Sequence, residues 1–430
     1  MDEKPPHAAP APGSMDRSRM RFYIETYGCA ANRGNSEAFA SALVEAGHRR
    51  SSQEEADLVI VNTCAVTERT ERDIRRRLSE LQGERLIVAG CLPSAIPEAV
   101  RDLRCREVLG ILSAPSGRRI GEAFPPEPEL AGSGRMTRDL CAVVNISEGC
   151  LGSCSYCIVR RARGPLRSRT VQEVAEEVRR RLKEGAVEVQ LASQDAAAYG
   201  LDLGSSLPEL IDAVAEIEGD FRIRVGMMNP GQVKPILEEL IRSYDDPKVY
   251  KFLHLPVQSG SAEVLRSMRR GYTPQDFLSM AARLRAAFPG LTLYTDVIAG
   301  HPGEREEDFA ATEELIKKAE PDKVNVTMYS SRPGTEASRL KDMPSRLKKD
   351  RSRRMTRLWK EIAGRRNGRY LGEEIIAQVT EMGRGGTVMA RSANYRKIVV
   401  NEPLPLGSVH RFKIVRTTPF YLKGEAIIRE

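Results

Sequence analysis

The sequence predicts an α/β protein made of a small parallel sheet, a parallel β/α barrel or part of one, and a small all-β module. Three observations predict this fold class. Short β-branched runs alternate with helical stretches from Arg21 to Leu92, and six more such alternations begin at Leu140. After Leu371, strand signals alternate with turns alone. The 430 residues are enough for two or three domains with cores of ordinary size.

The first residues and the cysteines indicate where the protein works. Residues 1–20 are rich in Pro and Ala and contain no apolar run, which predicts a disordered tail and no export signal. No stretch of about 18 apolar residues is present, so we expect no membrane partner. We therefore expect a cytoplasmic protein. Its eight cysteines should stay reduced, which indicates metal or redox chemistry and not disulfides.

Three strand-like runs in the first part of the chain each end in a cysteine. They are RFYIETYGC, ADLVIVNTC and ERLIVAGC, and they end at Cys29, Cys64 and Cys91. Helix-like stretches separate them, which is the pattern of a small parallel sheet. Because such strands point the same way, we expect the three thiols to meet at the edge where open α/β sheets bind ligands. Three buried structural cysteines are the alternative.

A second domain follows a segment poor in apolar residues, 124–134, which predicts a linker. Six strand-like runs then alternate with helical stretches, and the residues after each run are candidates for a site. These loops are rich in Gly, Pro, Ser and amide side chains, which suit a polar ligand. The loops read GCLGSCSYC, SQDAAAYG, NPGQ, PVQSGS, GHPGE and SSRPGT.

The last part of the chain is marked by a basic segment and five strand signals. The net charge of the chain is +8, yet Lys341 to Arg369 alone contains twelve Lys or Arg against three acidic residues. The segment predicts one basic helix that turns Trp359 toward the core. Its cations suit RNA phosphate, although a merely solvated helix has the same pattern. The five strand signals beyond it are compatible with a five-stranded barrel.

The strongest chemical signal is Cys150-x3-Cys154-x2-Cys157, directly after the first strand of the second domain. Three thiolates can hold three irons of a 4Fe–4S cubane and leave the fourth iron open for a ligand that the protein does not supply. The alternative is a structural zinc site with a distant fourth ligand. Zinc sites prefer paired short spacings with a fourth Cys or His nearby, which this loop lacks.

This cysteine loop at the top of a six-unit β/α array resembles the radical S-adenosylmethionine superfamily. The resemblance implies a partial (β/α)6 barrel in which the open iron binds S-adenosylmethionine, whose reductive cleavage gives a 5′-deoxyadenosyl radical. Tyr156 stands at the position that in the superfamily lies against the adenine, although a plain core role is also compatible with it. An external one-electron donor such as ferredoxin or flavodoxin is implied.

A second resemblance covers nearly the whole chain. The motifs YGCAANRGNSE, VNTCAVT, AGCLP, CLGSCSYC, HLPVQSGS, TDVIAGHPGE and YSSRPGT are similar, in order, to those of the methylthiotransferase family. The family implies that Cys29, Cys64 and Cys91 bind an auxiliary 4Fe–4S cluster, on which sulfur is methylated and then delivered. The all-β module resembles a TRAM domain, a nucleic-acid-binding module. The implied domains are an N-terminal domain at 21–130, a radical S-adenosylmethionine core at 136–366 and a TRAM domain at 369–430.

Several strand-end residues are suited to hydrogen-bond the amino, carboxylate and ribose groups of S-adenosylmethionine. We predict these contacts for Gln194, Asp195, Asn229, Gln258, Ser259 and Gly300. The GHPGE run can equally be a turn that closes the barrel. The family more often has Phe where this chain has His301, so we expect His301 to be packed and not catalytic.

Four further residues have open roles. Arg163 and Arg167 follow the cluster loop closely and suit neutralisation of cluster and cofactor charge, contact with RNA phosphate, or a solvated face. Cys105 and Cys141 match no family motif, so we expect ordinary buried thiols.

The two resemblances together imply methylthiolation of a tRNA base. The form of the motifs is most similar to the branch that acts at C2 of N6-threonylcarbamoyladenosine beside the anticodon. An unactivated aromatic C–H offers no proton to a side-chain base, so a radical cofactor has to do the hard step and no catalytic side chain is invoked. The alternatives are methylthiolation of isopentenyladenosine, methylthiolation of a ribosomal-protein aspartate, and a non-catalytic iron–sulfur protein that binds RNA.

Overall fold

The computed structural model describes residues 20–123 and 140–427. The linker predicted at 124–134 and most of the tail predicted at 1–20 lie outside these residues. Met20, the last residue of that tail, is buried and donates its amide hydrogen to Nδ1 of His48 at 3.3 Å. The packed chain therefore includes at least this one residue of the predicted tail.

A five-stranded parallel sheet forms the N-terminal domain, in the order β2-β1-β3-β4-β5. Its elements are β1 (Arg21–Thr26), α1 (Ala30–Glu45), β2 (Arg49–Arg50), β3 (Leu58–Thr63), α2 (Glu68–Leu81), β4 (Gly83–Gly90), α3 (Cys91–Ala95), β5 (Cys105–Val108) and α4 (Ala114–Glu122). Every residue of β3 is buried, because helices cover both faces of the sheet. Ile60 packs in the core on one face and Val61 in the core on the other.

Six parallel strands form the central domain. Its elements are β6 (Cys141–Asn145), β7 (Ser147–Glu148), α5 (Val159–Arg163), β8 (Arg167–Ser168), α6 (Val171–Lys183), β9 (Glu188–Ala192), α7 (Leu207–Ala215), β10 (Arg222–Val225), α8 (Pro230–Val233), α9 (Leu237–Asp245), β11 (Phe252–His254), α10 (Ala262–Ser267), α11 (Pro274–Ala287), β12 (Thr292–Ala299), α12 (Glu306–Ala319), β13 (Lys323–Met328) and α13 (Ser345–Gly368). Two three-stranded sheets, β6-β9-β10 and β11-β12-β13, are joined by single bridges such as Met227 to His254. Among the described residues β6 and β13 are the two edges, so the barrel is open.

The third domain is a closed five-stranded barrel. Its strands are β14 (Glu374–Met382), β15 (Val388–Ser392), β16 (Lys397–Val400), β17 (Val409–Thr417) and β18 (Leu422–Ala426). They pair in the order β14-β15-β16-β18-β17, and β17 closes on β14. This barrel docks at the amino ends of the central strands, where the Tyr395 hydroxyl contacts Glu188 at 3.3 Å. All five strands predicted here from the sequence are present.

The structure confirms the predicted fold class, with a parallel α/β sheet, an open array of six β/α strands and a small closed barrel. Three elements differ from expectation. The N-terminal sheet gains the short edge strands β2 and β5, and α1 begins directly after Cys29, six residues before the predicted helical stretch. Within residues 20–123 and 140–427, no helix has both the length and the apolar content that a membrane span requires.

Candidate functional site

Three thiols of the N-terminal domain lie at the carboxyl edge of its sheet. Cys29 precedes α1 as its N-cap, Cys64 directly follows β3, and Cys91 is the first residue of α3, directly after β4. Gly28 shows how close the first two loops are. It has φ +102°, and a Cβ built on it would lie 3.1 Å from the Cys64 Sγ. The parallel topology thus brings together cysteines that are distant in sequence, as predicted.

Asn32 connects the three cysteine loops. This residue is fully buried, and its Nδ2 donates to the carbonyl oxygens of Tyr27 at 2.6 Å and Thr63 at 2.9 Å. Its Oδ1 accepts from the Cys91 thiol at 3.7 Å and also from the Arg163 guanidinium. Asn32 therefore ties the loops of all three thiols to one side chain. Asn32 lies in the motif YGCAANRGNSE, which by itself does not indicate this role.

Arg163 reaches this triad from the central domain. Its side chain is only 2% exposed and forms an ion pair with Glu148. The guanidinium also donates to Asn35 Oδ1 at 3.1 Å. Of the three roles open for Arg163, the solvated face is thus wrong, and its burial leaves no exposed cation for RNA phosphate. Arg167 in β8 is exposed.

The surroundings of these thiols act on their ionisation. Burial raises the pKa of the Cys91 thiol to about 11, against the opposing charge of Arg163. Burial also raises the pKa of Cys64, and the charge of Cys29 acts in the same direction. The thiols are thus close enough to interact electrostatically. Iron binds the thiolate form, which burial disfavours. A bound metal would therefore have to offset the cost of burying the thiolate charge.

The second triad lies in a loop closed at its base by the antiparallel pair β7 and β8. Backbone amides point at two of its sulfur atoms: Gly152 N lies 3.3 Å from the Cys150 Sγ, and Val159 N lies 3.5 Å from the Cys157 Sγ. Burial raises the pKa of Cys157 to about 12, and the nearby Cys154 and Cys150 add to the shift. The loop therefore gathers three thiols next to donors that stabilise bound thiolates.

Arg270 supports the second triad from the loop after α10. Its guanidinium lies 3.5 Å from the Cys154 Sγ and donates to the carbonyl oxygen of Pro256 at 3.1 Å. Its Nε donates to the Tyr272 hydroxyl at 3.1 Å. This buried cation was missed from the sequence, because nothing in the run around it marks the tertiary contact with a loop 116 residues away.

Each triad offers three thiols, the number of protein ligands that a cubane with one open iron requires. Among the residues that the structure describes, no three His, Cys, Asp or Glu side chains are grouped to hold one metal ion. A single zinc draws its sulfur ligands to about 2.3 Å from one point, whereas each thiolate of a cubane binds a different iron. The residues present are therefore compatible with a cubane at each triad.

Polar groups at the end of β9 are buried near the second triad, where the charge of Asp195 acts on Cys150. Both side-chain polar atoms of Gln194 are buried and have no partner, and so is the Ser193 hydroxyl. Asp195 is buried, and its Oδ1 accepts from the Asn229 amide at 2.9 Å. Burial raises the pKa of Asp195 to about 6, against the Asn229 amide and the charge of Arg270. Unpartnered buried donors and acceptors fit a polar ligand such as S-adenosylmethionine.

The other residues predicted to contact the cofactor are already engaged within the protein. The Asn229 Oδ1 caps α8 by accepting from Gly231 N at 3.2 Å. The Ser259 hydroxyl is fully buried and lies 3.3 Å from the Thr312 hydroxyl. Gly300 has φ +82°, and a Cβ on it would lie 2.4 Å from the Lys348 Cγ. Each of these three residues therefore has a role in the fold itself, and its contact with the cofactor stays a prediction.

A cavity of about 260 Å³ lies beside the second triad, with walls from the central and the N-terminal domain. Tyr156, Cys157 and Gln258 line it from the central domain, and Val66 and Thr67, just past Cys64, line it from the N-terminal domain. Gln258 is held at φ +66°, a conformation that costs energy for a side chain larger than Gly. A group bound here would contact Cys157 and the segment that directly follows Cys64.

The wall of this cavity includes residues that the sequence analysis missed. Asp296 and Asn325 line it, and the Asn325 Nδ2 donates to the Asp296 Oδ1 at 2.6 Å. The same oxygen is 3.0 Å from the His254 Nε2. These side chains lie within strands and not after them, which is why attention to the strand ends did not find them. Polar residues at alternate positions of β12 and β13 were the available signal.

Of the remaining predictions for single residues, the one for His301 is confirmed, and the one for Cys105 and Cys141 is not. His301 is fully buried, as expected, and its ring packs against Tyr329 with centroids 5.6 Å apart. Cys105 and Cys141 are only partly buried, so the expectation of buried thiols is wrong in degree. Cys141 lies in β6, where its thiol donates to Glu188 at 3.6 Å. Both are edge positions, since Cys105 begins the edge strand β5 and β6 is the first strand of the open barrel.

Comparison with known proteins places these features in a family. Residues 144–316 match the Radical SAM superfamily, residues 21–110 match the Uncharacterized protein family UPF0004, and residues 368–427 match the TRAM domain. Two solved structures share the fold: a radical S-adenosylmethionine methyltransferase, TsrM, from Kitasatospora setae, and the cobalamin-dependent enzyme OxsB. Their TM-scores are 0.54 and 0.50, with 14% and 11% identity, over 75% and 80% of this chain and 77% and 56% of theirs.

Curated relatives match far more of the sequence. A protein of Pyrococcus horikoshii named probable threonylcarbamoyladenosine tRNA methylthiotransferase is 41% identical over 95% of this chain and 100% of its own length. A similarly named protein of Archaeoglobus fulgidus is 41% identical over 88% of this chain and 93% of its own. The Drosophila melanogaster threonylcarbamoyladenosine tRNA methylthiotransferase is 33% identical over 98% and 79%.

The fold and the second thiol triad define a radical S-adenosylmethionine enzyme, a class that works with a 4Fe–4S cluster and S-adenosylmethionine. Within that class, the chain belongs to the methylthiotransferase family.

Proposed function

We propose that this protein is a tRNA methylthiotransferase that acts at C2 of N6-threonylcarbamoyladenosine, next to the anticodon at position 37, to give the 2-methylthio derivative. The observation that supports it most is the cavity shared by the two domains, since Tyr156 and Cys157 line one side and Thr67, three residues after Cys64, lines the other. A sulfur-bearing site and a radical-generating site have to reach the same substrate carbon. The names of the relatives supply the substrate.

We propose that two 4Fe–4S clusters and S-adenosylmethionine are the cofactors. Cys150, Cys154 and Cys157 would hold the first cluster. Cys29, Cys64 and Cys91 would hold the auxiliary cluster. When bound, these groups supply the one-electron and sulfur chemistry that side chains lack. A one-electron donor such as ferredoxin or flavodoxin is the proposed source of electrons.

The protein itself positions and encloses the reaction. Buried Arg270 and the amides of Gly152 and Val159 offset negative charge on the second triad. Unpartnered Gln194 and buried Asp195 offer hydrogen bonds for the amino and carboxylate groups of S-adenosylmethionine, and Tyr156 offers a ring for its adenine. The cavity walls keep water away from a reactive species, which limits side reactions.

Polar side chains in the cavity suit a modified base. Asp296 and Asn325 present a carboxylate and an amide, and Gln258 lies beside them. These groups can pair with the donors and acceptors of an adenine that has left its stack. The TRAM barrel supports tRNA as the macromolecular partner, and a tRNA substrate supports a cytoplasmic location.

Anaerobic reconstitution with iron and sulfide, followed by reduction and addition of S-adenosylmethionine, tests this function. We expect 5′-deoxyadenosine, and we expect mass spectrometry of tRNA nucleosides to show a 2-methylthio product. tRNA that carries N6-threonylcarbamoyladenosine should be converted, while tRNA that carries isopentenyladenosine should not. Conversion of only the isopentenyl substrate would replace the proposed substrate. A fully reconstituted, reducible protein that forms no 5′-deoxyadenosine would favour the non-catalytic RNA-binding alternative.

A further inference from the structure

The cations of α13 and its flanks fall into two groups. Six of the twelve basic residues between Lys341 and Arg369 have a carboxylate partner within 4.0 Å. The pairs are Lys348–Asp342, Arg351–Glu304, Arg354–Glu313, Arg365–Glu320, Arg366–Asp322 and Arg369–Glu320. The expectation that each of these cations could meet RNA phosphate is therefore wrong for about half of them. These pairs fasten the helix to the central domain and limit which charges can act on a partner.

The remaining helical cations form one stripe, which we call the α13 stripe. Each is exposed, and none has a carboxylate partner among the described residues; they are Arg346, Lys349, Arg353, Arg357 and Lys360. Their spacing of three or four residues places them on one face of the helix. At 1.5 Å per residue the stripe is about 21 Å long. A row of unpaired like charges costs stability unless a counter-charge covers it.

The course of α13 gives this stripe two defined ends. Near its start, Lys348 Nζ donates to the Tyr329 carbonyl oxygen at 3.2 Å, and Arg351 pairs with Glu304 beyond the carboxyl end of β12. Near its end, Asn367 Nδ2 donates to the Thr418 carbonyl oxygen of the third domain at 2.7 Å. The helix thus runs from the active-site end of the barrel to the TRAM barrel.

An exposed aromatic side chain continues the stripe onto the TRAM barrel. Phe420 is 58% exposed, and the Lys360 Nζ lies 5.6 Å from the centroid of its ring. The ring also contacts Trp359, with centroids 5.5 Å apart at 75°, which holds it in place. A cation row that ends at an exposed, supported ring combines phosphate contact with base stacking, as in surfaces that bind single-stranded RNA.

We propose that the α13 stripe and Phe420 form a track for the sugar–phosphate backbone of the substrate tRNA, between the TRAM barrel and the active-site cavity. The five cations contact successive phosphates, and Phe420 stacks on one unpaired base. The row of cations favours a polyanion, and the exposed aromatic ring beside it suits a base. Together they favour RNA over a protein or a membrane as the occupant. This inference rests on the proposed tRNA substrate and adds the surface that binds it.

Neutralisation of the stripe tests the proposal. The variant carries Lys349→Gln, Arg353→Gln and Arg357→Gln, because Gln keeps a helix as well as Lys or Arg does. The matched control carries Arg179→Gln, Lys183→Gln and Arg242→Gln, three exposed cations on α6 and α9. Both change the net charge equally. Binding of tRNA is measured from low to high salt with the reconstituted protein.

We expect weaker binding for the stripe variant and a salt dependence that is shallower by about 2 in the log–log slope, since each lost phosphate contact removes roughly 0.7. The control should match the native chain in affinity and slope. Phe420→Ala should weaken binding several-fold and leave the slope unchanged, because stacking releases no counterions.

A stripe variant that matches the control in affinity and slope would overturn this proposal. If the native chain still methylthiolates tRNA in that case, the proposed function stands without the track. A fully reconstituted native chain that binds no tRNA at any salt would contradict the proposed function itself. Cleavage of S-adenosylmethionine without tRNA should be equal in all these variants, which shows that each is folded and loaded.

Discussion

Arg163, in the helix after the central cysteine loop, donates a hydrogen bond of 3.1 Å to Asn35, which lies 128 residues earlier in the N-terminal domain. The same guanidinium contacts Asn32, whose amide organises the three N-terminal cysteine loops. One buried cation therefore belongs to the loop of one thiol triad and to the surroundings of the other.

Replacement of Arg163 should disturb the N-terminal triad more than the central one. Arg163→Gln removes a buried charge beside Cys91 and leaves the partly exposed Glu148 with the Asn35 amide but without its ion-pair partner. We expect loss of auxiliary iron or a shift of its reduction potential. Arg163→Lys keeps the charge and should recover part of the loss. Potentiometric titration followed by EPR measures the reduction potential, and iron analysis measures the content. If both variants match the native chain in iron content and reduction potential, the prediction is wrong.

The two triads should load independently. Cys154→Ala should abolish 5′-deoxyadenosine formation and leave about half of the native iron, since only one cubane is lost. Cys91→Ala should also leave about half of the iron, while 5′-deoxyadenosine still forms and the methylthio product does not. Iron analysis and chromatography of the small products check both. Loss of nearly all iron in either variant would show that the sites depend on each other.

Asp296 should act on the substrate and not on the clusters. Its carboxylate lines the cavity, contacts His254 and accepts from Asn325 in the cavity wall, so Asp296→Ala should remove hydrogen bonds to the substrate base. We expect product formation to fall by roughly tenfold or more, as for loss of one or more hydrogen bonds of about 1.5 kcal/mol each. Iron content and cleavage of S-adenosylmethionine without tRNA should stay at the native level. A parallel loss of cleavage would instead place Asp296 in the cofactor site.

Asp322 should make the attachment of the TRAM barrel sensitive to acid. Burial raises its pKa, but the charges of Arg396 and Arg366 outweigh this, so the pKa of Asp322 lies below the ordinary 3.8. A carboxyl group with a lowered pKa stabilises the fold above its ordinary pKa, and this stabilisation is lost as the pH falls from about 3.8 through the lower folded value. Thermal unfolding of the native chain should therefore change little with pH above about 5 from this group.

The variant Asp322→Asn checks that assignment. It leaves two buried guanidinium groups without their charge partner, and we expect about 3–5 kcal/mol of destabilisation at neutral pH. The difference between variant and native chain should shrink as the pH falls below about 3.8, because the unfolded chain then binds a proton that the folded carboxyl takes up only at its lower pKa. A difference that stays constant with pH would mean that the charge of Asp322 is not what stabilises the contact.

Much of the fold was predictable because its signals are local. The alternation of β-branched runs with helical stretches predicted β1, β3 and β4 and the six strands of the central barrel, but not β5. Strand signals between turns predicted all five strands of the small barrel. The cysteine spacing predicted the central triad. The edge strand β2 was not predicted, because a two-residue strand has too little pattern to detect.

The site was predictable where topology alone sets the positions. Cys29, Cys64 and Cys91 follow parallel strands, so the direction of the strands brings them together. Arg270 and Asp296 were not found, since each acts through a partner distant in sequence.

The sequence by itself determined the class of fold, the two cysteine triads and the resemblance that indicated the chemistry, because hydrophobic period, turn residues and thiol spacing act over a few residues. Only the tertiary structure decided which charged side chains are buried in ion pairs and which are exposed to a partner. It buried Arg163 between two domains, paired Arg366 with Asp322, and left Arg353 and Arg357 exposed on α13. These outcomes depend on contacts across tens to hundreds of residues, and the free energy of a charge depends on its surroundings and not on its neighbours in the chain.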